Sequence, residues 1–323
     1  MSYVAGARVV VVGEALVDIV HRADGSVDAA PGGSPANVAL TLGRLGRTPH
    51  LVTRLGDDSH GRSVRDWLER SSVTVDATHA PRTATATAHL DAAGAATYEF
   101  DIDWALGGVS VAGADVLHVG SVAALLGPGA DDVSRLVDAV RRSATITYDP
   151  NIRPSLLQDP ADARARVASL VRRADVVKAS DEDLRWLHPN ADLVEVATRW
   201  QRLGPAVVVV TTGADGALAV TATGVVGIPA VTTAVVDTVG AGDTFMGALI
   251  DGLIHAELTG ASQRNALRAV SPSDLEAILR MSAAAAAITV SRPGADPPSR
   301  AEVATQLSAR LPRAPLSPGP AKS

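Results

Sequence analysis

Short runs of β-branched residues recur along this chain with helical patterns between them, and that alternation constrains the fold more than any other feature. The first run, 9–12, ends at Gly13, as suits a buried strand. Further strand patterns lie at 116–119, 145–148, 176–178 and 207–211. Helical patterns fall near 131–141, 161–173 and 192–203, with others at 59–70, 241–255, 273–289 and 300–309. This rhythm predicts an α/β fold, a three-layer α/β/α domain with a mainly parallel central sheet.

Two stretches break the rhythm. Thr85, Thr87 and His89 alternate with small residues, a turn is expected at 91–94, and alternation resumes through 97–100. That is a hairpin with one polar face, so a small β-lid is expected from about 14–31 and 83–105, within a domain covering 1–310. The proline-rich 311–323 tail is expected to be disordered. Before the second helical pattern, Ser34 and Pro35 read as an N-cap and first helical residue, with Val38, Leu42 and Leu45 at helical spacing and Gly46 as the stop.

Composition removes several functions. The 323 residues include no cysteine, which excludes disulfides, thiolate nucleophiles and Cys-ligated zinc. A net charge of -6 argues against nucleic acid or an anionic membrane as partner. Lys178 and Lys322 are the only lysines, and neither sits in a glycine-rich loop, so Walker-type nucleotide binding is out. The first strand is not followed by G-x-G-x-x-G, which counts against a dinucleotide-dependent oxidoreductase. With no targeting or membrane-spanning segment in view, a cytoplasmic protein is expected.

The segment DTVGAGDTF at 237–245 carries the strongest chemical signal. Gly240, Ala241 and Gly242 precede a long helical run, where unpaired amides and the helix dipole can hold phosphate without a lysine. Asp243 lies at that same start. As an ordinary first-turn acid it would stabilise the helix by about 0.3–1 kcal/mol. Beside a bound phosphoryl group it can instead deprotonate an incoming hydroxyl, typically about 10²- to 10⁴-fold in rate.

This segment resembles the carboxy-terminal signature of the ribokinase-like (PfkB-type) carbohydrate kinases, and PGGSPANVA at 31–39 resembles the amino-terminal one. GEALVD at 13–18, DPNIR at 149–153, SDED at 180–183, TTGADG at 211–216 and TVSRPG at 289–294 follow in family order. The resemblance implies a sugar kinase using ATP and Mg²⁺. Asp243 would be the base and 240–242 the anion hole, with Asp18, Gly32, Gly33 and Asn37 binding sugar hydroxyls. Arg153 would reach the sugar or the transferring phosphoryl; Tyr98, Phe100 and Trp104 in the lid read equally as facing the sugar and as packing within the lid.

For the nucleotide, the resemblance implies Thr211 and the Gly213–Gly216 loop, Gly242, and a helix position occupied here by Ala283, where the family often has asparagine. Lys178 reads equally as a phosphate ligand and as a structural strand-end residue. Ser180 and Asp183 form a capping-box pattern, and Asp183 would meet Mg²⁺ through water. Asp237 and Ser291 resemble a monovalent-cation loop for K⁺. Within the family, the 13–18 and 149–155 segments look like the fructokinase and 2-keto-3-deoxygluconate kinase branch, with fructose first. A homodimer through the lid and a catalytically silent sugar or nucleotide sensor stay open.

Overall fold

In the computed structural model, which describes residues 6–90, 96–157 and 159–309, two sheets form from interleaved parts of the chain. The order begins β1 (Val9–Val12), β2 (Leu16–His21), β3 (Val27–Gly32), α1 (Ser34–Arg44), β4 (His50–Gly56), α2 (Ser59–Glu69), β5 (Thr74–Ala80). It continues with β6 (Ala84–Leu90), β7 (Ala96–Asp101), β8 (Val116–Gly120), α3 (Gly129–Val140), β9 (Thr145–Asp149), α4 (Pro160–Val171), β10 (Val176–Ser180) and α5 (Asp181–Leu187). Then come α6 (Leu193–Leu203), β11 (Val207–Thr211), β12 (Ala217–Thr221), β13 (Gly224–Ile228), α7 (Ala241–His255), α8 (Arg264–Arg268), α9 (Pro272–Val290) and α10 (Arg300–Ser308).

The nine-stranded sheet runs β13-β12-β11-β10-β9-β8-β1-β4-β5. All neighbours from β5 to β11 are parallel, and the β12–β13 hairpin adds an antiparallel edge. Its central strands are buried along nearly their whole length because helices cover both faces, and β1 is valine throughout. Val9 and Val11 belong to the core on the side of α1, α7 and α9, while Val10 and Val12 belong to the core on the side of α3 and α6. Val207 and Val209 divide from Val208 and Val210 in the same way, as a two-residue period requires.

The chain leaves β1 for β4 on one side and later returns to β8 on the other, so the strand order reverses at β1. Open α/β sheets bind ligands beyond the carboxyl end of such a switch point. Here β1 leads directly into Glu14 and the lid strand β2.

The lid is a four-stranded sheet, β3-β2-β6-β7, with β2 parallel to β6 and antiparallel at both outer pairs. The turn expected at 91–94 and the 311–323 tail lie outside the described residues, as does the side chain of Tyr98. Two sequence expectations change. Gly33, with φ 103°, caps α1, and Ser34 is its first residue. Trp104 packs, but outside the lid: it is buried against the α3 face, abuts Gly129 and donates its indole N–H to the Ala123 carbonyl at 2.9 Å. Among the described residues no helix is long and apolar enough to cross a membrane.

Candidate active site

The start of α7 depends on two glycines. Gly240 caps the helix in the left-handed region at φ 74°, where a Cβ would also lie 2.7 Å from that of Ala295. A Cβ on Gly242 would lie 2.9 Å from the Lys178 ammonium. The Ala241 N–H reaches Thr238 O, and the Thr244 N–H closes the first turn on Gly240 O. The amides of Gly242 and Asp243 therefore sit where a helix supplies no intrahelical carbonyl, the setting that favours an anion.

Asp243 is buried on this turn and gathers three side chains. Ser34 donates its hydroxyl to Oδ1 at 2.7 Å, Asn37 donates Nδ2–H to Oδ2 at 2.8 Å, and Asn151 donates Nδ2–H to Oδ1 at 3.3 Å. Helix α1 delivers the first two and the loop after β9 the third. Because Ser34 is not the cap, its hydroxyl is free to turn away from its own helix. The Asn37 Oδ1 is buried beside Asp243 without a partner.

Asp18, on β2, stands within charge range of both Asp243 and Arg153. Burial pushes its pKa up to about 6, the Arg153 guanidinium opposes the rise, and the Asp243 charge adds to it. Gly32 makes room for that carboxylate, since a Cβ there would lie 2.1 Å from Asp18 Oδ2. Gly33 needs its positive φ and meets the Glu14 carbonyl closely. Register places Ala30, Asp18, Ala86 and Phe100 in one row across the lid, so Phe100 shares a face with Asp18.

Behind this cluster, Lys178 and Asp149 form a buried ion pair at 2.9 Å. Burial alone would lower the Lys178 pKa, but Asp149 and then Asp183 and Asp243 hold it above the ordinary lysine value. Lys178 is thus a fixed positive charge beneath the α7 start and part of the strand-end structure. Asp183 closes the capping box with Ser180 through Oδ2 and accepts the Ile152 N–H on Oδ1 at 2.7 Å. Oδ2 is thus taken up by two donors, while Oδ1 keeps one lone pair free. Among the described residues no group of three or more His, Asp or Glu side chains could hold a metal ion.

The remaining predicted residues lie around this centre. Thr211 ends β11 in register with Ser180, and the following loop closes with the Thr212 N–H on Gly216 O. Gly213 and Gly216 both have positive φ, and a Cβ at Gly216 would strike the Ile228 carbonyl. Ala283 is partly buried on α9, with no contact to the Asp243 cluster among its hydrogen bonds or core neighbours. Asp237 bridges two loops, accepting the Val239 and Gly294 N–H groups, while the exposed Ser291 donates back to Ile288 O rather than to Asp237.

Three residues here escaped assignment from sequence. Ser34 was masked by its cap-like position before Pro35. Asn151 sat unassigned inside the DPNIR segment, although its neighbour Arg153 was singled out. Glu14, buried after β1, accepts the Ala123 N–H at 3.1 Å. Burial carries its pKa up to about 7 against the hydrogen bonds from Ser121 and the backbone, with the Asp243 charge a smaller contribution.

Comparison with known proteins agrees with this geometry. The model of the pfkB family carbohydrate kinases matches residues 7–302. A fructokinase of Rhizobium leguminosarum bv. trifolii is 34% identical over 275 residues, 79% of this chain and 84% of that one. The structure of a Xylella fastidiosa fructokinase with bound ATP superposes at a TM-score of 0.83 with 26% identity, covering 94% of this chain and 98% of the other. A Vibrio cholerae O395 fructokinase with fructose, ADP and calcium ion bound gives 0.78 and 25%, covering 93% and 99%. The match over nearly the whole chain, with Asp243 held at the helix start by both signature segments, makes this chain a member of the pfkB family of carbohydrate kinases.

Proposed function

We propose that this chain phosphorylates fructose with ATP, and that Asp243 is the base that takes the proton of the attacking hydroxyl. The observation that carries the reading is the meeting of the Asp243 carboxylate with the anion-favouring start of α7, Asp18 and Arg153 within one cluster. The relatives support fructose: the Rhizobium protein is a fructokinase, and the Vibrio structure holds fructose and ADP.

In this reading Asp18 and the unpaired Asn37 Oδ1 accept hydrogen bonds from sugar hydroxyls, while Gly32 and Gly33 let the backbone approach. Phe100 closes the row across the lid. As Asp243 accepts the proton, the hydroxyl oxygen bonds to the γ-phosphorus and the bond to the β–γ bridging oxygen breaks, releasing ADP. Of the 240–243 turn, the Gly242 and Asp243 amides, with Lys178, meet the charge on the transferring group, and Arg153 approaches from the sugar side. Magnesium, entering with the nucleotide and touching Asp183 through water, would supply further neutralisation of the phosphates.

Thr211, Gly213 and Gly216 would cover the nucleotide, with Ala283 offering shape rather than a hydrogen bond to adenine. For K⁺, the 237–294 junction offers the Asp237 carboxylate, whose oxygens each keep a lone pair after accepting an amide, and the Ser291 hydroxyl. Residues 1–310 would act as one kinase unit in the cytoplasm, where ATP is supplied, with the lid as the contact for a second copy.

The test is ADP release from the full chain with ATP and Mg²⁺ over fructose, 2-keto-3-deoxygluconate, ribose and adenosine. Turnover greatest on fructose is expected. Preference for the sugar acid would move the substrate within the branch, and ligand binding without turnover on any acceptor would favour the sensor.

A further inference from the structure

Asn151 occupies a position that nothing in the kinase reading has yet used. It follows β9 with φ at 36°, a left-handed conformation that side-chain-bearing residues seldom adopt. Two buried acids hold it there: the Asp149 carboxylate accepts its N–H at 3.2 Å, and Asp183 accepts the next N–H, of Ile152, at 2.7 Å. The side chain then uses both ends of its amide. Its Oδ1 accepts from the Arg153 guanidinium at 2.7 Å, and its Nδ2–H donates to Asp243 Oδ1 at 3.3 Å.

We propose that Asn151 is a positioning residue that joins the sugar-side Arg153 to the Asp243 carboxylate, so that acceptor binding and base orientation are coupled through one amide. The proposal rests on the reading of Asp243 as base and Arg153 as a substrate contact. An amide suits the place because it must accept from a cation and donate to an anion at once. A carboxylate at 151 could do only the first and would add charge beside the base. The guanidinium on Oδ1 polarises the amide and strengthens its N–H toward Asp243. The long 3.3 Å bond has room to tighten when the acceptor draws Arg153 into place.

The positive φ supplies a clean variant. Glycine adopts it without strain, so Asn151→Gly removes the amide while leaving the backbone path intact. In the full chain, with wild type alongside, Asn151→Gly is expected to lower kcat about 10- to 100-fold, the scale of a misplaced reacting group. KM for ATP should stay within about twofold, and the melting temperature should be unchanged. Asn151→Asp should shift the acidic limb of the kcat/KM profile for fructose upward by about one pH unit or more, since a second carboxylate resists ionisation of Asp243. The other charges coupled to Asp243 — Asp18, Glu14, Asp149 and Lys178 — are the same in both proteins, as is Arg153 beside Asp18. A purely structural role would move neither kcat in the glycine variant nor that limb. Asn151→Gly retaining kcat within about twofold, or an unmoved limb in Asn151→Asp, overturns the proposal; if the glycine variant melts early, the limb decides alone. A wild type inactive on every acceptor sinks the kinase reading and this inference with it, whereas an active wild type with an unimpaired glycine variant sinks only the inference.

Discussion

Ser34 donates its hydroxyl to Asp243 at 2.7 Å across 209 residues of sequence, tying the first residue of α1 to the first turn of α7. The contact fixes one carboxylate oxygen while Asn37 fixes the other. Asp243→Asn should therefore keep sugar affinity within a few fold while kcat falls by about 10²- to 10⁴-fold, the span of general-base catalysis. Titration calorimetry for binding and ADP release for turnover separate the two; retained turnover would remove Asp243 as the base. Ser34→Ala should lower kcat by a smaller factor without the cost of a lost cap, because Gly33 fills that position and makes no side-chain bond.

Acidity near the sugar has a definite sign. Asp18 has its pKa raised to about 6 and Glu14 to about 7, first of all by burial. Between their unfolded values and these folded ones the native state binds more protons than the unfolded chain. Stability contributed by the two neutral groups is thus full below about pH 4 and is lost as pH rises to about 7. Glu14→Gln, which keeps an acceptor for the Ala123 N–H, should raise stability at pH 7.5 by up to about 3 kcal/mol and flatten its dependence on pH between 4 and 7. Chemical denaturation at the two pH extremes measures it. An unchanged slope would show that Glu14 does not titrate there.

The lid row predicts selectivity by size. Ala86 stands between Asp18 and Phe100, and neighbouring strands are about 4.8 Å apart, so acid and ring are separated by roughly 10 Å over a methyl group. Ala86→Leu should raise KM for fructose at least tenfold while leaving KM for ATP within about twofold. Equal effects on both substrates would mean that the row does not face the acceptor.

Most of the architecture was legible in the sequence because both faces of the parallel sheet are covered, leaving unbroken runs such as Val207–Thr211 between amphipathic helices. Asp243 stood out because the whole 237–245 segment, and not its glycines alone, resembles a family signature. What stayed hidden depends on long-range contact. Ser34 looked like a cap because local spacing says nothing of an acid 209 residues away. Trp104 looked like a lid aromatic, yet its indole is buried against Ala123, a destination that only tertiary packing decides. Asn151 carried no periodic signal, and its role follows from a backbone angle and two buried acids.

Lys178 and Asp149 offer the sharpest separation of structure from chemistry, being almost wholly buried and 2.9 Å apart. Lys178→Met would leave the Asp149 charge buried and unpaired, an arrangement that typically costs about 3–5 kcal/mol. Pairing it with Asp149→Leu should recover much of that stability, since two apolar groups need no partner. Turnover should not recover with it, because the fixed charge beneath Gly242 is still missing and Asn151 has lost its N–H acceptor. Urea denaturation and kcat for the two single variants and the double variant form a complete cycle. A double variant as active as wild type would show that Lys178 serves the fold alone; one that is stable and inactive, with Asp149→Leu alone retaining turnover, would place the ammonium in the phosphoryl-transfer site.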